Sequence, residues 1–234
     1  MTPDTVGAEE EGHRTSVAAF HPAFEDLPPE IAVFPLPGAL LLPRGRLPLN
    51  VFEPRYLAMV RDAMQTDRVI GMIQPKREGD RSPVPELFRT GCVGRITNLE
   101  ETPDGRYLIT LTGACRFDVA EEIEADTMYR QVVGDYGRWR ADLDHPAPPD
   151  TLKGPLLDAL KGYFERQGIE TDWDAIGVAP LGGLVTSLCM ICPFGPDEKQ
   201  ALLEAGDPAR QTELLIAVMR MDAMAEAKPS AVRH

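Results

Sequence analysis

Residues Ile31–Tyr56 read IAVFPLPGALLLPRGRLPLNVFEPRY. Two apolar runs, Ile31–Leu36 and Leu47–Phe52, flank a connection punctuated by proline and glycine. The second run enters Glu53-Pro54-Arg55-Tyr56 directly. Proline suits the first turn of a helix, because the N–H it lacks would have no intrahelical partner there. The stretch therefore predicts strand, connection, strand and helix, with no catalytic constellation inside it.

Working outward, Tyr56, Val60 and Ala63, flanked by Leu57 and Met64, form an apolar stripe at helical spacing. The helix is expected to run to about Asp67. Val69–Ile73 reads as a buried strand. Gln74–Arg89 is polar and proline-rich, a long loop of the kind that is often functional. Gly91–Glu100 and Arg106–Thr112 form a hairpin across Glu101-Thr102-Pro103-Asp104-Gly105, a strong turn signal. Phe117–Ile123 and Tyr129–Tyr136 add two strands. Short strands at this spacing suggest a small barrel or sandwich.

After Asp142 the pattern changes. His145-Pro146-Ala147-Pro148-Pro149-Asp150 has a linker's composition. Leu152, Leu156, Leu160 and Phe164 then recur every four residues, and Gly168 stops the run. Asp172 to about Ile191 reads as a second helix, Pro196–Gly206 as a third, and Asp207-Pro208 caps a fourth. The expected organisation is an acidic leader over 1–29, a β-rich unit over 30–144, a helical bundle over 145–228 and a tail over 229–234. This is an α+β order.

The formal net charge is −13. Residues 1–30 hold seven acids and one base, Arg14, so a charge of −6 belongs to the leader, where Phe20 and Phe24 are the large aromatics. Acidic chains repel phosphate backbones, and aromatics at 6% offer few stacking platforms, which argues against nucleic acid. Only a basic stripe around Lys76, Arg77, Arg81 and Arg89 would revive that partner. The N-terminal residues lack the basic start and apolar core of a secretory signal, and no apolar run approaches the length of a membrane span. A cytoplasmic location is expected, with no membrane partner. The setting also argues against a disulfide framework for Cys92, Cys115, Cys189 and Cys192.

Cys189-Met190-Ile191-Cys192 is the sharpest chemical motif, since C-x-x-C can be a redox pair or half a zinc site. Here it ends an apolar helix, the other cysteines lie in strands, and the histidines lie in leader, linker and last position. Two small buried helix residues is the preferred reading, and no metal or cofactor is expected. No serine lies in a G-x-S-x-G elbow, and Gly38–Gly45 is followed by Arg46-Leu47, not by the Lys-Ser/Thr of a P-loop. Glu53 and Arg55 read as a cap or ion pair. Trp139 and Trp173, near the linker, read as packing between the two units. Leu40-Leu41-Leu42-Pro43 is an apolar run in a connection, either tucked into the core or offered to a partner.

The opening stretch resembles the start of the Lon N-terminal domain, the substrate-recognition domain of ATP-dependent Lon proteases. Phe34-Pro35-Leu36, Pro43, Leu49 and Phe52-Glu53-Pro54-Arg55-Tyr56 carry the likeness. Gly91–Ile96, Gly113 with Arg116-Phe117, then Pro193-Phe194, Glu198-Lys199-Gln200 and Leu202-Leu203-Glu204 extend it to about Ala225. The resemblance implies a PUA-like β-barrel followed by a bundle of about four helices. It implies a stand-alone bacterial member without the AAA+ motor and Ser–Lys protease, and it transfers no catalytic residue.

The expected function is thus a non-catalytic protein- or peptide-binding module, linked to protein quality control, with polypeptide clients or a partner protein. Leu40, Leu41, Leu42, Pro43, Arg44 and Leu47 are the candidate contact residues. The Gln74–Phe88 loop and the groove between barrel and bundle are further candidate surfaces. The alternatives are a small-ligand protein or enzyme using that groove, and an RNA-binding PUA-like protein.

Overall fold

A computed structural model describes residues 22–77 and 84–224. The opening strand β1, Glu30–Pro35, turns Ile31 and Val33 to one side and Phe34 to the other. It is followed by β2 (Arg46–Val51), α1 (Pro54–Met64), β3 (Val69–Ile73), β4 (Thr90–Glu101), β5 (Tyr107–Ile123) and β6 (Gln131–Asp135). The sheet order is β2-β5-β4-β3-β1-β6, and β6 also pairs with β5. Hydrogen bonding therefore closes into a ring of five strands, with β2 added on the first half of β5. The β1–β3 pair is parallel and the others antiparallel.

Pro54 opens α1 as expected, and the helix ends at Met64, three residues short of the expected Asp67. The hairpin between β4 and β5 turns at Gly105, whose φ of +80° favours glycine, and Thr102 N–H bonds Arg106 O at 2.9 Å. The two strands expected on either side of Gly113 are one strand, β5, of 17 residues. Gly113 marks a close backbone approach rather than a turn: a Cβ there would lie 2.0 Å from Leu42 O. A register shift at Val93/Gly94 in β4–β5 and another at Val119/Glu121 in β5–β6 let the long strand serve both sides of the ring.

A 3-10 helix, Gly137–Asp144, leads from the sheet to the helices α2 (Lys153–Gln167), α3 (Trp173–Val178), α4 (Leu181–Ile191), α5 (Pro196–Glu204) and α6 (Pro208–Met224). The expected helix from Asp172 to Ile191 is two, because Ala179 before Pro180 is extended at ψ 142°, as a residue before proline prefers. Five helices thus stand where about four are expected, and the fold is α+β. Gly168 ends α2 in the left-handed conformation, φ +66°. Among the described residues no helix is long and apolar enough to cross a membrane.

Two apolar clusters result. The first fills the strand ring with Ile31, Val33, Val93, Phe117, Val132 and Trp139. The second is continuous from Phe34, Met59 and Leu111 on the sheet side to Leu160, Leu188, Leu202 and Leu215 on the helices. Trp139 is buried within the ring cluster, and Trp173 stacks on Phe164 within the helical half at 5.9 Å between centroids, so neither tryptophan bridges the two halves. Phe24 lies under the Arg140 guanidinium at 4.5 Å, and Phe20 falls outside the described residues.

Candidate functional site

Leu40, Leu41 and Leu42 belong to the second cluster, each no more than 2% exposed. Their side chains pack in the core, the first of the two places open to this run, and Leu42 also lines a groove between sheet and helices. Leu42 O accepts from Gly45 N–H at 2.9 Å, Arg44 N–H donates to Gly113 O at 2.8 Å, and Gly113 N–H donates to Gly45 O at 2.8 Å. This tight turn holds Arg44 at φ +66°, an uncommon conformation for a residue with a Cβ. With the leucines drawn inward, the turn leaves Arg44 and Arg46 exposed, Pro43 and Leu47 half-buried.

Pro43, Arg44 and Arg46 form one wall of a groove of about 380 Å³ between sheet and helices. The opposite wall is α4, which presents Gly182, Gly183, Thr186, Ser187, Met190 and Ile191. These residues fall at i and i+4 on one helical face. His145, Pro146 and Pro148 also line it, as do Asp207, Pro208 and Gln211 at the start of α6. Met190 packs on the turn, its Sδ only 2.3 Å from where a Cβ on Gly45 would sit.

The floor is held by Arg116 and Asp142, both buried. Arg116 forks onto the carboxylate, lies 3.9 Å over the Trp139 ring, and donates through Nη1 to Leu203 O and Ala205 O at the end of α5. Those carbonyls have no partner within their own helix, so a buried cation at a helix C-terminus satisfies both groups and the dipole. Asp142 also accepts from Arg116 N–H at 3.0 Å. The one ion pair on the floor is thus committed to joining β5, the 3-10 helix and α5.

α5 is also tied to the sheet through Gln74 and Gln200, and to the β1–β2 connection through Lys199. Gln74 Nε2 donates to Gln200 Oε1 at 3.1 Å, Gln200 Nε2 to Thr90 O at 3.1 Å, and Lys199 Nζ to Gly38 O at 2.7 Å. Burial holds the Lys199 ammonium below its usual pKa.

A second hollow of about 730 Å³ lies between Pro35–Pro37, Glu53, Arg55 and Tyr56, Val84–Pro85 and Glu122–Arg130. Two ion pairs line it, Arg55 with Glu53 at 2.8 Å and Arg130 with Glu122 at 2.6 Å, and Glu124 and Asp126 leave it acidic on balance. Glu53 stands at the N-cap of α1 without a side-chain cap bond, and its carboxylate pairs with Arg55 instead. Of the Gln74–Phe88 loop, the described ends are tied by a Pro75–Leu87 bridge, and Lys76 pairs with Glu86. Arg81 lies outside the described residues.

Cys189 and Cys192 are buried at the end of α4. Burial pushes both thiols up, Cys192 to about 11 despite the nearby Lys199 ammonium. Among the described residues no group of three or more His, Cys, Asp or Glu side chains could hold a metal ion.

Residues 30–220 match the family model described as the ATP-dependent protease La (LON) substrate-binding domain. The chain belongs to that family. It is 27% identical over 221 residues to the Lon protease of Parabacteroides distasonis, covering 90% of this chain and 26% of that protein. It is 32% identical over 101 residues to Lon protease 2 of Myxococcus xanthus, covering 43% of this chain and 12% of that protein. The LON substrate-binding domain chain thus spans about a quarter or less of the curated relatives it matches most fully. A Lon N-terminal domain protein from Xanthomonas campestris superposes with a TM-score of 0.55 at 25% identity, covering 80% of this chain and 97% of that one. The N-terminal domain of a Mycobacterium avium complex Lon protease shares the fold, with a TM-score of 0.55 at 14% identity, covering 81% and 97%.

The structure brings Pro43 and Arg44 of the expected contact residues to the groove, together with the Leu42 lining, and leaves Leu47 on β2. Sequence reading does not single out Arg116, Asp142 or the α4 face as groove residues. A usable signal existed in Gly182/Thr186/Met190 and Gly183/Ser187/Ile191, two rows at helical spacing that stay small until their apolar end.

Proposed function

We propose that the groove between sheet and helices receives extended polypeptide segments, and that the chain acts as a non-catalytic recognition unit. The observation that carries this reading is the α4 wall. Glycine, threonine and serine over two turns allow a backbone to approach closely, and Met190 and Ile191 supply an adaptable apolar contact at the end. Family membership supports a substrate-binding role. The closed ring of strands supports a PUA-like barrel over 30–144 with the helical part over 145–228. A cytoplasmic setting and a link to protein quality control belong to the same proposal.

A photo-crosslinking residue at Ser187, compared with one at exposed Glu100 on β4, tests it. The Ser187 probe is expected to capture an unfolded model polypeptide and the Glu100 probe to capture little. Equal capture from both positions would remove the groove from the proposal.

A further inference from the structure

We propose that the groove selects segments in which a carboxylate side chain stands beside an apolar one. This rests on the groove being the polypeptide site. In a chain with a net charge of −13, acids are plentiful, and Arg55, Arg106, Arg116, Arg130, Arg138, Arg140 and Arg210 each meet one within 4.0 Å. Arg44 and Arg46 are exposed on the groove wall, and neither forms an ion pair among the described residues. They stand two residues apart across the constrained turn at Arg44, and both line the groove.

The apolar partner is adjacent. Met190 Sδ touches the backbone at Gly45, between the two arginines, and Ile191 next to it is 73% exposed. A ligand that satisfies both features carries an Asp or Glu for the guanidinium fork and a neighbouring apolar side chain for Met190 and Ile191. Asp207 also lines the groove, its Oδ1 accepting from Arg210 N–H at 2.8 Å as the cap of α6, and its negative charge repels a ligand carboxylate. A ligand carboxylate is therefore favoured beside Arg44 and Arg46.

The experiment uses the full chain and two labelled peptides with the same apolar residues, one flanked by glutamates and one by lysines, read by fluorescence anisotropy. The glutamate peptide is expected to bind roughly three- to tenfold more tightly at low salt, as two exposed charge contacts allow. The preference should vanish near about 0.5 M salt, where screening acts within a few ångströms. Arg44→Glu combined with Arg46→Glu should abolish it, and Arg46→Gln alone should weaken it if the double variant does not fold. Ser187→Trp, which fills the groove, should weaken both peptides. Equal binding of the two peptides, both lost in Ser187→Trp, would overturn the charge preference and leave the groove reading standing. Binding of both peptides unchanged in Ser187→Trp would overturn the groove reading itself.

Discussion

The Arg116 guanidinium and the Asp142 carboxylate meet edge to edge, Nη2 2.6 Å from Oδ1 and Nε 2.9 Å from Oδ2, with each side chain less than a tenth exposed. The fork alone fixes the plane of the guanidinium. The two remaining bonds, to Leu203 O and Ala205 O, then fix the end of α5 against β5. One residue of the sheet thereby sets the position of a helix nearly ninety residues later, and with it the floor of the groove.

Asp142→Ala should destabilise the fold by about 3–5 kcal/mol, because it leaves a buried cation without its counter-ion. Arg116→Lys should fail to restore native stability, since an ammonium cannot reproduce the fork and the two carbonyl bonds together. Urea denaturation checks both. A loss below about 1 kcal/mol in Asp142→Ala would mean that water or another acid compensates, and the linchpin role would fall.

Gly113→Ala should cost at least about 1–3 kcal/mol, the range for overpacking. Its Cβ would sit 2.0 Å from Leu42 O, and that atom is backbone held by the Leu42–Gly45 turn, so it has little room to give. Gly105→Ala is a useful contrast. It meets nothing within 4 Å and is strained only through its φ of +80°. Thermal melting of the two variants separates the causes, and a Gly113→Ala protein as stable as the parent would show that the turn can shift outward.

Much of the fold was legible because its signals are local. Pro54 and Pro196 open helices, Gly168 closes one, and Pro103-Asp104-Gly105 turns the one tight hairpin that the sequence spells out. What misled were residues whose reason is tertiary. Gly113 falls between two expected strands that are one, because it answers to close approach by a distant carbonyl and not to a reversal of the chain. Leu40–Leu42 could be read as core or as a surface offered to a partner, and the pairing of the following turn with Gly113 goes with the leucines packing inward. Arg116 and Asp142 are 26 positions apart and carry no spacing motif, so their union on the groove floor had no sequence signature.

None of the four cysteines should react readily with a thiol reagent in the native protein. All are buried, and burial disfavours the thiolate that is the reacting form. Labelling should follow unfolding, with all four thiols reacting at one rate in urea. A fast native reaction of Cys189 or Cys192, or a disulfide between them under mild oxidant, would restore a redox reading of the C-x-x-C.

Stability should decline in alkali. Burial pushes Cys192 from 9.0 to about 11, Cys115 from 9.0 to about 12 and Tyr163 from 10.0 to about 12. In each case folding favours the protonated group. Its contribution is complete below the ordinary value and is lost as the pH rises towards the folded one. The urea midpoint should be level at neutral pH and fall from about pH 9 upward. A midpoint that stays level to about pH 11 would mean that these groups titrate at the same pH in the folded and unfolded chain.

Leu41→Ala separates the two roles once open to the Leu40–Leu47 connection. Leu41 is 1% exposed and would meet a Cβ on Gly94 at 2.6 Å through its Cδ2, so it is packed against β4. Truncation should cost about 2–5 kcal/mol through the lost contacts and the cavity left behind. Binding of a model polypeptide, measured under conditions where the variant remains folded, should change less than twofold, because the side chain does not reach the groove wall. Arg46→Glu should do the reverse: stability within about 0.5 kcal/mol of the parent, as for most surface changes, and weakened binding of the acidic peptide. If Leu41→Ala loses binding while keeping its stability, the leucine is a contact residue after all. The connection would then have to open when a polypeptide arrives.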